Sequence, residues 1–278
     1  MSEAAQAAAA GHGGRPTAAA RLFPATFGRF DAPADRAVVD ALAAWVEDCY
    51  REELRLRPSK HVYVRLLPQE IVREIDRLRA SPVIHEAIAR HFPDGWSITP
   101  MPETDELYLS HYNKDYGGDH GLFAKHYDGN LRFVPFGAVV RALIYLQSEG
   151  TYKVVFEDSR VEKAFASYEF GILDFHRELH WVEGEYRPGD RQRILLKCNY
   201  LVAPPNARLA TRALLAANTG VFYVVKAAME YSKSPKTPAQ FAVGLVCNVA
   251  RVLNNIHPLV PIGLAAAALG AAAWALLA

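Results

Sequence analysis

The apolar residues in the first third of the chain recur at helical spacing. Between residues 35 and 54 they follow steps of three and four, which places them on one face of an amphipathic helix. These residues are Val38, Val39, Leu42, Val46 and Cys49. Two further helices are predicted to begin at Pro68 and at Ser81-Pro82, because proline is well tolerated in the first turn of a helix. The pattern therefore predicts a mostly helical first third.

Beyond Trp96 the pattern changes to short segments rich in Tyr, Val, Ile and Phe, separated by Gly, Asp and Asn. This texture is typical of β-strands. We expect strands at 106–113, 121–127, 140–147, 151–156, 170–175 and 193–201. In residues 141–146 both faces are mainly apolar, as in a strand that is covered on each side. Because no helical period separates these strands, the region favours an all-β sandwich or barrel over a parallel α/β sheet.

Helix-like sequence returns from about Arg208, is interrupted between Ser234 and Pro238, and continues at 241–253. The last 21 residues, 258–278, contain no charged or strongly polar side chain. A helix of that length spans about 30 Å, the thickness of a hydrocarbon core. We therefore expect a C-terminal transmembrane helix at 257–278. The alternative is a packed Ala-rich helix, since alanine contributes little to membrane insertion.

The two ends of the chain carry predictions about location. Basic residues precede the apolar tail, which favours a tail-anchored membrane protein whose bulk faces the cytosol. They are Lys226, Lys233, Lys236 and Arg251. Residues 1–30 are rich in Ala and Gly and are predicted to be a disordered tail. A transit peptide is the alternative there, because arginines but no acidic residues lie between Glu3 and Asp31.

Composition and charge exclude several classes of protein. The 278 residues are 51% hydrophobic and 22% charged, so the whole chain is not expected to be disordered. With 31 Lys and Arg against 30 Asp and Glu there is no polycationic character, and nucleic acid is not an expected partner. Cys49, Cys198 and Cys247 lie far apart, which predicts neither a disulfide framework nor a zinc knuckle and fits a reducing compartment.

One histidine and one aspartate in the β region have the spacing of a metal site. His126 and Asp128 form an H-x-D sequence, and side chains at positions i and i+2 of a strand point to the same face. An imidazole and a carboxylate can therefore converge on one cation. The alternative is an exposed pair in a loop, because chance alone often produces this spacing in a chain with ten histidines.

Further histidines and arginines follow the predicted strand at 170–175. His176 and His180 are alternative third ligands. Two histidines and one aspartate would leave three positions of an octahedral Fe(II) open, as a bidentate 2-oxo acid and dioxygen require. Arg191 and Arg193 then begin the last predicted strand. A guanidinium there can pair with the far end of a dicarboxylate, or it can simply lie solvated at the end of the strand.

Taken together, these residues resemble the motifs of the Fe(II)/2-oxoglutarate-dependent dioxygenases, particularly the prolyl 4-hydroxylase-like branch. The order and spacing of the motifs match over about residues 106–201, which is under half of the chain. The matching motifs are His126-x-Asp128, Arg141-x-x-x-Tyr145-Leu146, Gly171-x-x-x-Phe175-x-x-x-x-His180 and Gly189-x-Arg191.

The resemblance implies a mainly β fold with flanking helices, built on a double-stranded β-helix, or jelly roll. With the predicted ends added, the chain is expected to divide into five parts. They are a disordered tail at 1–30, helical support at 31–94, the dioxygenase core at 95–205, a helical segment at 206–256 and the membrane helix at 257–278.

The resemblance also implies the chemistry. His126, Asp128 and His180 would be the iron ligands. Arg191, or else Arg193 two residues on, would bind the far carboxylate of 2-oxoglutarate. Tyr112, which precedes the H-x-D motif, would help to hold this cosubstrate. The reaction would use dioxygen, convert 2-oxoglutarate to succinate, and hydroxylate a substrate.

The substrate is left open by the sequence: prolyl groups in a protein, other side chains and lipid-like molecules are all compatible with the motifs. Two other functions stay open as well. One is a membrane-tethered jelly-roll binding protein without catalysis. The other is a cupin-like enzyme that uses the same three metal ligands without 2-oxoglutarate, for which Arg191 would be unimportant.

Overall fold

The computed structural model describes residues 23–55, 59–110, 125–128, 137–184, 192–213, 215–216 and 236–245. Within these ranges the chain forms two antiparallel β-sheets flanked by helices, the mainly β and jelly-roll-like arrangement that was predicted. Tyr112, Arg191 and the predicted membrane helix at 257–278 lie outside the described residues.

Three helices precede most of the strands, as the apolar spacing predicts. They are α1 (Pro33–Arg55), α2 (Gln69–Arg79) and α3 (Pro82–Ala89). The predicted apolar face of α1 is the face that it buries, since Val39, Leu42 and Val46 have no exposed surface. The end of that face reaches solvent, where Cys49 is exposed. Short helical segments also occur at 208–213 and 238–245.

The strands divide into a large main sheet and a small second sheet. In chain order they are β1 (Thr26–Arg29), β2 (Ser59–Tyr63), β3 (Ser97–Pro100), β4 (Glu106–Ser110), β5 (Ala138–Gln147), β6 (Glu149–Phe156), β7 (Val161–Ala166), β8 (Glu169–Asp174), β9 (His180–Glu183) and β10 (Arg193–Ala203). The main sheet has the order β1-β8-β5-β10-β4-β2, with β3 also paired to β10. The second sheet has the order β7-β6-β9.

The two central strands of the main sheet, β5 and β10, are buried along their whole length. Side chains alternate between the faces of a strand, so each strand serves two cores. The outer face packs against the helices through residues such as Ile144, Leu196 and Cys198. The inner face packs against the second sheet through residues such as Leu143, Tyr145 and Leu195. A strand covered on both sides is what the apolar run at 141–146 predicts.

Four predicted strands are confirmed with small shifts of their ends: β5, β6, β8 and β10. The predicted strand at 106–113 begins at Glu106 as β4, and its last residues lie outside the described residues. Of the predicted strand at 121–127, residues 121–124 also lie outside, and His126 forms an isolated bridge. Strands β2, β3, β7 and β9 are not predicted by the pattern, because each is short and lacks a run of apolar residues.

The prediction of a disordered tail at 1–30 is wrong at its end. Thr26–Arg29 form β1, which pairs with β8 at the edge of the main sheet, and Phe30 is completely buried. Its ring lies 5.2 Å from that of Phe170. Apolar contact and edge pairing thus order a segment whose neighbours in sequence, at 1–22, lie outside the described residues.

No helix within the described ranges is both long and apolar enough to cross a membrane. The predicted membrane helix at 257–278 is not among those helices, so the membrane anchor stays a prediction.

Candidate metal centre

Three of the predicted site residues meet inside the sandwich. Ligand atoms of His126, Asp128 and His180 all lie within 4.8 Å of one another. His126 and His180 form an antiparallel bridge, in which each backbone N–H donates to the other residue's carbonyl at 3.0 and 3.1 Å. Residues paired in this way have side chains on the same face, and the two imidazole centroids are 4.6 Å apart. Backbone pairing therefore brings the two histidines together.

The surroundings of His180 fix its ring orientation and its protonation state. The ring is buried, and its Nδ1 lies 3.1 Å from the carbonyl oxygen of Glu178. With Nδ1 donating there, Nε2 is the free ligand atom, and it lies 3.6 Å from Oδ2 of Asp128. Burial lowers the pKa of His180 to about 4, so the imidazole is neutral near pH 7. A neutral imidazole is the form that binds a metal.

The Glu178 carboxylate holds this segment in place. It is completely buried and accepts hydrogen bonds from the backbone N–H groups of Asp158 and Ser159 and from the Ser159 hydroxyl. The turn after β6 is thereby fixed to the residues just before His180, which helps to set the position of the imidazole.

Asp128 is the anionic member of the cluster. Burial alone would raise its pKa, but the Arg141 guanidinium beside it holds the pKa well below the usual range, and Lys197 adds to the effect. Nη1 of Arg141 lies 2.8 Å from Oδ2 of Asp128. The other carboxylate oxygen, Oδ1, lies 3.7 Å from Nε2 of His126. The aspartate is therefore ionised and turned toward the histidines.

A second carboxylate, which is mostly but not fully buried, lies near the first. Oε1 of Glu106 is 2.9 Å from Nζ of Lys197 and 3.8 Å from Nη1 of Arg141. His61 approaches Oε2 at 3.5 Å. Burial would raise the pKa of Glu106, but Lys197 and its other neighbours hold it well below the usual range. The carboxylates of Asp128 and Glu106 thus lie beside two cations, Arg141 and Lys197, and the four charges balance.

Sequence patterns predict no role for Arg141, Lys197, Asn199 or Glu106. A signal for them exists in the alternation along β5 and β10. Arg141 shares a face with Leu143 and Tyr145, and Lys197 and Asn199 share a face with Leu195, so polar residues recur within strands that are otherwise apolar. A charged side chain in a fully buried strand costs free energy unless it is paired. Charged residues that recur in such a strand therefore indicate a functional site.

Farther along the inner face lies the other predicted group, Arg193. It is buried, and its Nη2 lies 3.3 Å from the hydroxyl oxygen of Tyr145. Its guanidinium carbon lies 5.3 Å from the Tyr145 ring centre and 6.0 Å from that of Tyr108. Arg193 is therefore a strand residue of the interior and not a solvated strand end. Arg191 and Tyr112 lie outside the described residues, so the structure does not place them.

Packing explains why one motif position, Gly171, is a glycine. A Cβ at Gly171 would lie 2.8 Å from the Phe165 ring. That ring stacks on Tyr145 with centroids 4.3 Å apart and planes 7° from parallel. The absence of a side chain at Gly171 lets Phe165 approach the sheet and support Tyr145.

His176, the alternative third ligand, lies apart from the cluster of three ligands. It is buried, and burial lowers its pKa to about 3. Its backbone N–H donates to Oδ1 of Asp174 at 3.0 Å. Among the described residues, His180 and not His176 shares the metal-binding geometry with His126 and Asp128.

No protein-family model matches the chain, and no curated protein matches it. Solved structures do. A prolyl-4-hydroxylase from Pseudomonas putida is 15% identical, with 64% of this chain and 92% of that chain covered and a TM-score of 0.38. The viral collagen prolyl hydroxylase of Paramecium Bursaria Chlorella virus-1, solved with 2-oxoglutarate, is 13% identical, with 64% and 96% covered and a TM-score of 0.39.

A third structure is a non-heme α-ketoglutarate-dependent epimerase from nogalamycin biosynthesis. It is 14% identical, with 64% of this chain and 78% of that chain covered and a TM-score of 0.43.

Proposed function

We propose that this chain is an Fe(II)- and 2-oxoglutarate-dependent oxygenase. The observation that carries the proposal is the convergence of His126, Asp128 and His180, whose ligand atoms all lie within 4.8 Å of one another. Two imidazoles and one carboxylate on one side of a cation leave its other positions open, which suits Fe(II) in oxygenases. Structural zinc sites are instead closed and tetrahedral.

The donor set fits such a metal. His180 presents Nε2 because its Nδ1 is hydrogen-bonded to the carbonyl oxygen of Glu178. Asp128 is held ionised by Arg141. When bound, the iron and dioxygen would supply the oxidation of the substrate, coupled to conversion of 2-oxoglutarate to succinate and CO2. The chain supplies the ligands and a wall of apolar side chains, among them Phe156, whose ring centroid lies 6.2 Å from that of His180.

Arg193 and Tyr145 are the proposed partners of the far carboxylate of 2-oxoglutarate. Arg193 donates to the Tyr145 oxygen, and burial raises the pKa of Tyr145, so the phenol keeps its proton as a donor. A guanidinium and a phenol side by side are suited to a carboxylate. Lys197 is also an inner-face cation, but Glu106 is its ion-pair partner. Arg191, which the motif resemblance implies in the first place, stays the alternative.

The test is the visible charge-transfer absorption of an Fe(II) chelate of 2-oxoglutarate, recorded without oxygen on the full chain. Wild type should show the band, and His126→Ala, Asp128→Ala and His180→Ala should lose it. His176→Gln is the matched control and should keep it. Binding of metal without the 2-oxoglutarate band would favour the cupin-like enzyme. Absence of metal binding would favour a jelly-roll binding protein.

The reaction on the second substrate is proposed to be hydroxylation. Mass spectrometry of a lysate after incubation with the enzyme and 18O-labelled dioxygen should show a labelled product that depends on Asp128. A product without the label would contradict hydroxylation by this centre.

We further propose that residues 257–278 anchor the chain in a membrane with the metal centre facing the cytosol. The support is the length and uniform apolarity of residues 258–278 within this segment. The full chain should sediment with membranes and resist carbonate extraction, whereas a chain ending at Ile256 should not. A full chain that stays in the supernatant would contradict the anchor and leave the metal centre unaffected.

A further inference from the structure

Arg141 is held from several sides. Its Nη1 lies 2.8 Å from Oδ2 of Asp128, and its Nε donates to Oδ1 of Asn199 at 3.0 Å. The ring centre of Phe175 lies 4.3 Å from its guanidinium carbon. Arg141 and Asn199 are also paired across β5 and β10, so their backbones are fixed next to each other. The guanidinium therefore has a defined plane.

Asn199 is itself oriented from its other side. Its Nδ2 donates to the backbone oxygen of Thr104 at 2.9 Å and to the Thr104 hydroxyl oxygen at 3.0 Å. A backbone carbonyl only accepts hydrogen bonds, so the NH2 end of the amide must face Thr104. The Asn199 oxygen is thereby left to face Arg141.

The backbone at Asn199 is anchored as well. Its N–H donates to Oδ1 of Asp105 at 2.8 Å, and Oδ2 of Asp105 accepts two hydrogen bonds from Arg79 on α2, at 2.9 and 2.6 Å. Asp105 and Arg79 are almost completely buried. A continuous set of hydrogen bonds and ion pairs therefore runs from α2 through Asn199 and Arg141 to Asp128.

Arg141 has two carboxylates within reach. Nη1 lies 2.8 Å from Asp128 and 3.8 Å from Glu106, so a modest rotation would exchange its partner. The hydrogen bond from Nε to Asn199 opposes that rotation. Without it, Arg141 would be free to turn toward Glu106 and release the metal-binding carboxylate.

We propose that Asn199 is a positioning residue for the metal centre, acting through Arg141 to hold Asp128 toward His126 and His180. The inference rests on the proposed function, because it requires that these three residues bind a metal. Groups that orient metal ligands commonly change metal affinity by about 10–100-fold. Asn199 belongs to this class although it does not contact the ligand itself.

The experiment is a titration of the full, metal-free chain with Co(II), followed by calorimetry and by the visible Co(II) spectrum. Asn199→Ala should bind Co(II) about tenfold or more weakly and with an altered spectrum. Asn199→Asp keeps an acceptor for Nε of Arg141 but loses the donor to Thr104, so its affinity for Co(II) should lie between those of Asn199→Ala and wild type. Tyr200→Phe is the matched control: it removes a buried hydrogen bond from the next residue of β10 to the Arg79 carbonyl, and should leave Co(II) affinity unchanged.

A double-mutant cycle tests the route through Arg141. Arg141→Met should weaken Co(II) binding, and Asn199→Ala should add little in that background. If Asn199→Ala does not fold, Asn199→Ser takes its place, because its hydroxyl is too short to reach Arg141. Wild-type affinity and spectrum in the folded variant would overturn the inference, as would full additivity with Arg141→Met.

These outcomes are separate from those of the proposed function. If wild type fails to bind Co(II), or binds it equally well after His126→Ala, the proposed metal centre is wrong and the role of Asn199 falls with it. If wild type binds Co(II) through His126 and Asn199→Ala binds it equally well, only the role of Asn199 is wrong.

Discussion

The two faces of β10 share one backbone and have different chemistry. The outer face packs Leu196, Cys198 and Tyr200 against the helices. The inner face alternates apolar side chains with Arg193, Lys197 and Asn199, all of them buried. A buried charge costs free energy unless it is paired, and replacing a buried ion pair with apolar residues often stabilises a protein. The outer face therefore contributes mainly to stability. The inner face carries buried charged and polar side chains that stability alone does not require.

The largest expected effect is the loss of activity after removal of a proposed metal ligand beside the inner face. His180→Ala should reduce succinate formation from 2-oxoglutarate to background, because the metal loses an imidazole ligand. The unfolding midpoint of the metal-free variant should change less than that of an outer-face variant. Succinate assays and thermal denaturation measure the two effects. Full activity in His180→Ala, with its loss in His176→Ala, would mean that the third ligand is misassigned.

A substitution on the outer face should instead lower stability and leave metal binding and turnover unchanged. Leu196 has no exposed surface, so Leu196→Ala should lower the free energy of unfolding by about 2–5 kcal/mol through lost burial and a cavity. Co(II) affinity and turnover per folded molecule should stay at the wild-type level, as measured after denaturant titration. A loss of metal affinity in the folded variant would show that the two faces are not independent.

A smaller effect is expected at the far end of the inner face. Arg193→Met should raise the KM for 2-oxoglutarate about tenfold or more, because a charge-assisted hydrogen bond contributes roughly 1.5–3 kcal/mol. Iron should still bind. Arg191→Met is the matched comparison, and should leave the KM near the wild-type value. The opposite result would assign the carboxylate to Arg191 and leave Arg193 as a partner of Tyr145.

A pH dependence of stability is also expected from His176. Burial lowers the pKa of His176 to about 3 in the folded state, against about 6.5 in the unfolded chain. The unfolded state therefore binds more protons between these values, and stability falls as the pH decreases from about 6.5 toward 3. His176→Gln should make this decline shallower in urea titrations of the metal-free protein. An unchanged slope would mean that His176 does not contribute to it.

Sequence patterns predict the parts of the fold that depend on local rules. Helix α1 follows from its apolar spacing, α3 from Ser81-Pro82, and β5 from an apolar run covered on both faces. Strand β1 could not be predicted, since Thr26–Arg29 owe their structure to pairing with β8, far along the chain. The prediction fails where order comes from a distant partner.

The site, too, contains residues that the sequence predicts and residues that it does not. Spacing and motifs name His126, Asp128 and His180 as ligands, and these three come together. The motif spacing favours His180 over His176, and the bridge between His180 and His126 gives the physical reason for that choice. The pairing of Arg141 with Asp128, and of Lys197 with Glu106, depends on the register of β4, β5 and β10, which no local pattern encodes.

The backbone bridge between His126 and His180 has a consequence for measurement. Each residue's amide hydrogen is donated to the other, so both amides exchange with solvent only when the two segments separate. Their hydrogen-exchange rates therefore report how often the metal-binding pair comes apart in the absence of any metal. A bound cation would slow the exchange of both amides together. The exchange rates without a cation therefore measure how often the two histidines are already held side by side in the metal-free protein.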